Sequence, residues 1–172
     1  MSLDTLELEP RKKIYEAIKD NPGTHLRKLD RILDMPLGTI RYHLRVLDKR
    51  SLIVSKKEGK YKRFYVRGEI DTTDKNRLAV LRKEFPRTII LYLLEFPGST
   101  HKEISEVMDV APSTLSYHLK KLVDEDMITA SQRKYRVKNE KEVADLLIQY
   151  RRTFLDSLVD RFVRMWTRSE EK

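Results

Sequence analysis

The sequence predicts a mainly α-helical chain with small β-hairpins: two copies of one unit of three helices and a hairpin, then a long C-terminal helix. Three observations predict it. The nonapeptide "TIRYHLRVL" at residues 39–47 returns as "TLSYHLKKL" at 114–122, 75 positions later. Apolar residues in both copies recur at the i, i+4, i+7 spacing of one buried helix stripe. Turn signals bearing Pro and Gly fall between the stripes at matching places. The chain's 172 residues are room for two small domains of about 70 to 90 residues each.

The repeat extends beyond the nonapeptide. Shifted by 75, Pro22-Gly23 falls on Pro97-Gly98, Asp34 on Asp109, Tyr42-His43-Leu44 on Tyr117-His118-Leu119, and Ile53 on Ile128, without a gap. Where identity fails, apolar character persists, as with Leu29 on Ile104 and Ile32 on Val107. A match that keeps both turn and core residues implies two copies of one supersecondary unit.

In the first copy, Pro10 suits the first turn of a helix over 10–20, and Asn21-Pro22-Gly23 stops it. Thr24 starts a second helix that Asp34-Met35-Pro36 breaks. A third helix follows over 37–50, with Ile40, Leu44 and Leu47 as its buried stripe. Residues 52–56 and 61–66 read as strands, and Gly59 between them suits a hairpin. The second copy repeats the order with helices over 86–96, 100–108 and 112–125 and a shorter hairpin of 127–130 and 134–137. Thr100 and Glu103 form a capping box there.

Three helices with a tight turn between the second and third, followed by a hairpin, describe a winged helix-turn-helix. "GTIRYHLRVLDKRSLI" and "STLSYHLKKLVDEDMI" resemble the recognition helix and start of the wing in ArsR-like and MarR-like transcription factors. The tandem arrangement with a final long helix resembles a class of archaeal tandem winged-helix regulators, over roughly residues 10–168. The resemblance implies a regulator whose partner is double-stranded DNA. It does not extend to metal sensing, which in ArsR proteins often uses cysteine clusters, because the chain has no cysteine.

The third helix shows how these residues could read DNA. At about 100° per residue, the leucines take one side and Thr39, Arg41, Tyr42 and Arg45 stand around the other. The matching set in the second copy is Ser113, Thr114, Ser116, Tyr117, Lys120 and Lys121. Arg makes bidentate bonds to guanine in the major groove, whereas hydroxyls and lysines position more readily than they specify. On the first wing, Lys57, Lys60, Lys62 and Arg63 suit a phosphate backbone; the second wing offers Arg133. The competing reading is a solvated charged face. His43 and His118 lie beside the buried stripe, where packing with a hydrogen bond is expected, and His25 and His101 are expected at the surface.

Charge separates the copies. Residues 9–68 hold 17 Lys/Arg and 7 Asp/Glu, net +10, whereas residues 85–138 hold 8 against 7, net +1. The first copy should therefore supply most of the counterion-release affinity, and the second weak contact or a protein-binding surface. The chain divides into a first winged domain at 1–70, a linker helix at 71–84, a second winged domain at 85–138 and a dimerisation helix at 139–172.

That last helix is expected as one rod over 140–168, roughly 40 Å long and capped by Asn139. Leu147, Tyr150, Phe154, Leu155, Leu158, Phe162 and Trp166 contribute to a wide apolar face. Pairing with a second copy would cover it, making a homodimer; packing against its own chain is the alternative.

Other classes are disfavoured. With no cysteine, no Gly-rich phosphate loop and no His-x-x-x-His spacing, neither catalysis, a cofactor nor a metal is expected. RNA-stacking aromatic motifs are missing. No apolar run approaches the roughly 18 residues of a membrane span, and Met1-Ser2-Leu3-Asp4 lacks a leader's basic and apolar regions, so a cytoplasmic protein without a membrane partner is expected. The principal rival is a non-catalytic interaction module whose second winged helix binds a protein, such as part of the transcription machinery.

Overall fold

The computed structural model of the chain describes residues 8–154 and 156–170. They form two compact units that divide between Ala79 and Val80. The expectations for residues 1–4 and for Leu155 lie outside the described residues.

The first unit runs α1 (Glu9–Asp20), β1 (Thr24–His25), α2 (Leu26–Leu33), α3 (Leu37–Lys49), β2 (Ile53–Glu58), β3 (Tyr61–Val66) and α4 (Thr72–Leu81), with the division falling inside α4. Pro10 occupies the first turn of α1, where its missing N–H costs nothing. Asp34 ends α2 in the left-handed region, at φ 49°, a conformation that Asp tolerates better than most residues. The sheet is antiparallel in the order β1-β3-β2, with Ser55 opposite Phe64 and Lys57 opposite Lys62. Ile14, Ile18, Leu29, Ile40, Leu47 and Ile53 are fully buried where the three helices meet the sheet. Each such side chain contributes about 1.5–3 kcal/mol relative to exposure.

The second unit repeats this frame: α5 (Glu84–Glu95), β4 (Ser99–Thr100), α6 (His101–Met108), α7 (Pro112–Asp124), β5 (Ile128–Ser131) and β6 (Lys134–Val137), with sheet order β4-β6-β5. The duplication reaches the turns. Left-handed residues stand at Asp34 and Ser51 in one unit and at Asp109 and Asp126 in the other. Each unit is a winged helix-turn-helix, as the sequence predicts. The strands β1 and β4 are additions: each is two residues long, so no alternation reveals it. The helix α2 consequently starts at Leu26, two residues later than the expected Thr24, with His25 as its N-cap.

The C-terminal segment departs from expectation. It is not one rod but α8 (Glu140–Gln149), α9 (Arg151–Phe154) and α10 (Ser157–Glu170). Asn139 precedes α8 in a left-handed conformation, and its side chain makes no capping bond. At the second break, Asp156 Oδ1 accepts the N–H of Leu158 at 2.9 Å, while Oδ2 takes the Nε–H of Arg87 at 2.7 Å. Arg87 also donates to the carbonyls of Leu81 and Arg82 and lies over the Phe154 ring. Breaking the helix lets its apolar residues fold back on their own unit. Leu147, Tyr150, Phe154 and Phe162 are buried there, so the wide free face predicted for dimerisation is largely covered; Leu158 stays exposed and Trp166 half-buried.

Removing one partner of a buried ion pair strands the other. Asp156→Ala should destabilise the second unit by about 3–5 kcal/mol. Urea unfolding followed through Trp166, the one tryptophan of the chain, reads that unit. An unchanged midpoint would show that the Arg87–Asp156 pair does not hold the segment down.

Candidate nucleic-acid interface

Ile40, Leu44 and Leu47 are buried along one side of α3, which sets the helix's roll. Gly38, Arg41, Tyr42 and Arg45 are exposed on the remaining surface, and Thr39 is half-buried. His43 closes the buried side. Its Nδ1 accepts the Nε–H of Arg11 at 3.3 Å, tying the middle of α3 to α1. Burial, and secondly the Arg11 charge, hold the imidazole's pKa below its usual value, which keeps it the acceptor that this bond requires.

The hairpin β2–β3 brings the wing lysines together. Lys57 and Lys62 are directly opposite partners, and Lys60 lies at the turn. Like charges facing across a ladder destabilise a sheet, so this arrangement suits a partner that supplies negative charge. Between the wing and α3 lies a groove of about 840 Å³ lined by cationic Arg27, Arg41, Arg45, Lys60 and Lys62. Leu44 and Phe64 also line it, and Asp48 is its one acid among the described residues. Arg63 is not among the residues that line this groove. Its guanidinium donates to the Gly23 carbonyl at 2.8 Å and meets Glu58 at 3.2 Å, bracing the hairpin against the turn before α2. Sequence reasoning groups Arg63 with the phosphate contacts, and its contacts with Gly23 and Glu58 are ones that spacing along a strand does not reveal.

It also missed Arg27 and Tyr61, which line the groove, and His25, which the long-range pairing of β1 with β3 brings there. His25 was expected at the surface. It is half-buried, stacked on Tyr61 with ring centroids 4.4 Å apart, and its Nδ1 accepts the N–H of Lys28. Burial first, then Arg63, Arg31, Lys28 and Arg27, lower its pKa.

The second unit presents another surface on the same frame. Ser113, Thr114, Ser116, Tyr117 and Lys120 are exposed, and Lys121 is half-buried. The Ser116 hydroxyl is engaged: it donates to the Pro112 carbonyl at 2.9 Å and lies 2.9 Å from His101 Nε2. His101, half-buried, thus has a bonding partner at the surface where it was expected. His118 packs on Phe85, ring centroids 4.7 Å apart, but its buried Nδ1 lacks the hydrogen bond expected for it. In the shorter hairpin Lys134 faces Ser131 and Arg136 faces Thr129, so no two cations oppose. Arg133 stands exposed at its tip with φ 62°, while Asp124, Glu125 and Asp126 are exposed just after α7. Among the described residues no cluster of three or more His, Cys, Asp or Glu is placed to hold a metal, and no helix is long and apolar enough to cross a membrane.

Comparison with known proteins agrees with this duplication. Residues 8–78 match a family described as an N-terminal HTH (helix-turn-helix) domain, and residues 82–129 match the winged helix-turn-helix DNA-binding family. The chain is 36% identical over 129 residues to an uncharacterized HTH-type transcriptional regulator of Methanocaldococcus jannaschii. The match takes in 75% of this chain and 32% of that relative, so the chain spans about a third of the relative's length. The chain therefore carries two tandem HTH domains and is homologous to an archaeal HTH-type regulator.

The environments of His25 and His43 predict a pH-dependent stability for the first unit. Both pKa values are lowered on folding, so below about 6.5 the unfolded chain binds protons that the folded one resists, and stability falls as pH falls. Thermal unfolding between about pH 7 and 5 should show a falling midpoint, and His43→Gln should flatten part of the slope. A profile identical in the variant would remove His43 as a contributor.

Proposed function

We propose that the chain is a sequence-specific, double-stranded-DNA-binding transcriptional regulator, with the first winged domain as its main reader. The observation that carries this reading is the cationic groove between α3 and the wing, with Lys57 and Lys62 opposed on the hairpin. Arg41 and Arg45 stand on the helix wall of the groove as bidentate donors for base edges. Lys57, Lys60 and Lys62 take backbone phosphates. Arg63 acts by holding the wing in place.

The second domain makes a weaker contact through Ser113, Thr114, Tyr117, Lys120, Lys121 and Arg133. Its near-neutral charge also favours a second reading, in which α7 meets a protein of the transcription machinery; Tyr117 and Val123 are exposed on it. Two chains pair through α10, where Leu158 and Met165, seven positions apart on one face, are both exposed. That seam is narrower than the sequence suggests, because Leu147, Tyr150, Phe154 and Phe162 serve their own unit.

Arg41→Ala and Arg45→Ala should each relax preference at particular bases by about 1–3 kcal/mol, read by selection from random duplexes. Unchanged profiles in both remove them as readers. Replacing Lys57, Lys60 and Lys62 by Ala should weaken all duplexes alike and lower the salt slope by about 0.9 for each phosphate no longer neutralised. Light scattering at micromolar concentration should give a dimer that Leu158→Glu with Met165→Glu splits without unfolding; a monomeric parent overturns the pairing.

A further inference from the structure

The chain's internal duplication supplies a control for one residue that the DNA reading above does not use. Position 25 in the first copy corresponds to Thr100 in the second. There Thr100 caps α6 with Glu103 in a reciprocal capping box, two bonds that satisfy helix donors efficiently. The first copy has His25 and Lys28 at those two places. One cap bond survives, from the Lys28 N–H to His25 Nδ1 at 3.3 Å, and the return bond from a Glu is gone. Capping alone therefore does not explain a histidine here, since Thr does that job better in the same frame.

What the exchange gains is a ring in the groove. His25 lines the cavity with Arg27, Arg41, Lys60 and Lys62, and its plane is held by stacking on Tyr61. Because Nδ1 accepts a backbone N–H, the ring is neutral and its proton sits on Nε2, on the opposite edge of the imidazole. Burial first, and then the neighbouring cations Arg63, Arg31, Lys28 and Arg27, act against a second proton. The result is a fixed, uncharged N–H donor among cations.

Resting on the DNA reading above, we propose that His25 is a further DNA-contacting residue, its Nε2–H donating to a backbone phosphate oxygen that enters the groove between α3 and the wing. An uncharged donor differs from the lysines in a measurable way. A lysine that neutralises a phosphate releases counterion and adds to the salt slope; a neutral imidazole adds affinity and leaves the slope alone. It also fixes direction, because its ring is held at two points while a lysine's head turns freely.

The test uses the whole chain and a duplex selected by the parent, at about pH 8, where the imidazole is neutral. His25→Ser keeps a side-chain oxygen to cap α2 and loses the ring; His25→Phe keeps the stack on Tyr61 and loses the cap. Both lose the Nε2–H that reaches from the ring. Each should bind about tenfold more weakly, with a salt slope equal to the parent's. Unchanged affinity in both variants overturns the proposal while leaving the DNA reading intact, and a reduced slope overturns it by showing that His25 acts as a cation. Failure of the parent itself to bind duplex overturns both readings. In an NMR titration, the His25 Nε2 resonance should shift with the duplex and stay still with inorganic phosphate at equal phosphate concentration; an equal response to inorganic phosphate would reassign the donor to a free anion.

Discussion

Everything at the candidate interface depends on the roll of one helix. The thirteen residues of α3 bury a single stripe, Ile40, Leu44 and Leu47, and burying it leaves no freedom in which side chains stand outward. Arg41 and Arg45 are outward because Leu44 is inward. The Arg11–His43 bond adds a polar anchor on the buried side, where rotation would cost both the bond and the packing. On α7 the stripe Leu115, Leu119 and Leu122 does the same work. The frame is thereby common to both domains, and only the outward positions differ.

Those differences lower the net cationic charge of the second copy, although Val46 becomes Lys121 against the trend. From the first copy to the second, Arg41 becomes Ser116, Arg45 becomes Lys120, Lys28 becomes Glu103 and Lys49 becomes Asp124. The hairpin loses its opposed lysines and gains a serine opposite Lys134. None of these changes touches a buried core position, so they alter the surface potential and not the fold. A frame stabilised twice by the same stripe can carry two surfaces, one adapted to a polyanion and one near neutral.

The repeat, the helices and the hairpins are legible in the sequence because each is a local pattern: apolar spacing, a proline, a glycine, a capping box. Arg41, Tyr42 and Arg45 are legible for the same reason, since helix geometry alone decides their side. What was hidden depends on contacts between distant residues. Thr24 and His25 pair with Phe64 and Arg63, and no window around residue 25 contains that information. The engagement of Arg63 with Gly23 and Glu58 is equally non-local. The break in the C-terminal segment misled because its apolar period continues through residues 143–166; the aspartate that ends α9's path and caps α10 is held by Arg87, 69 positions away.

The central claim is that the groove of the first domain, and not its counterpart on the second, is the principal seat of DNA. Hydrogen–deuterium exchange of the whole chain with and without a selected duplex tests it most directly. The account predicts slowed exchange in α2, α3 and the β2–β3 hairpin, with α7 and the β5–β6 hairpin changed little. Protection confined to α7 and β5–β6, with the first domain unaffected, would contradict it.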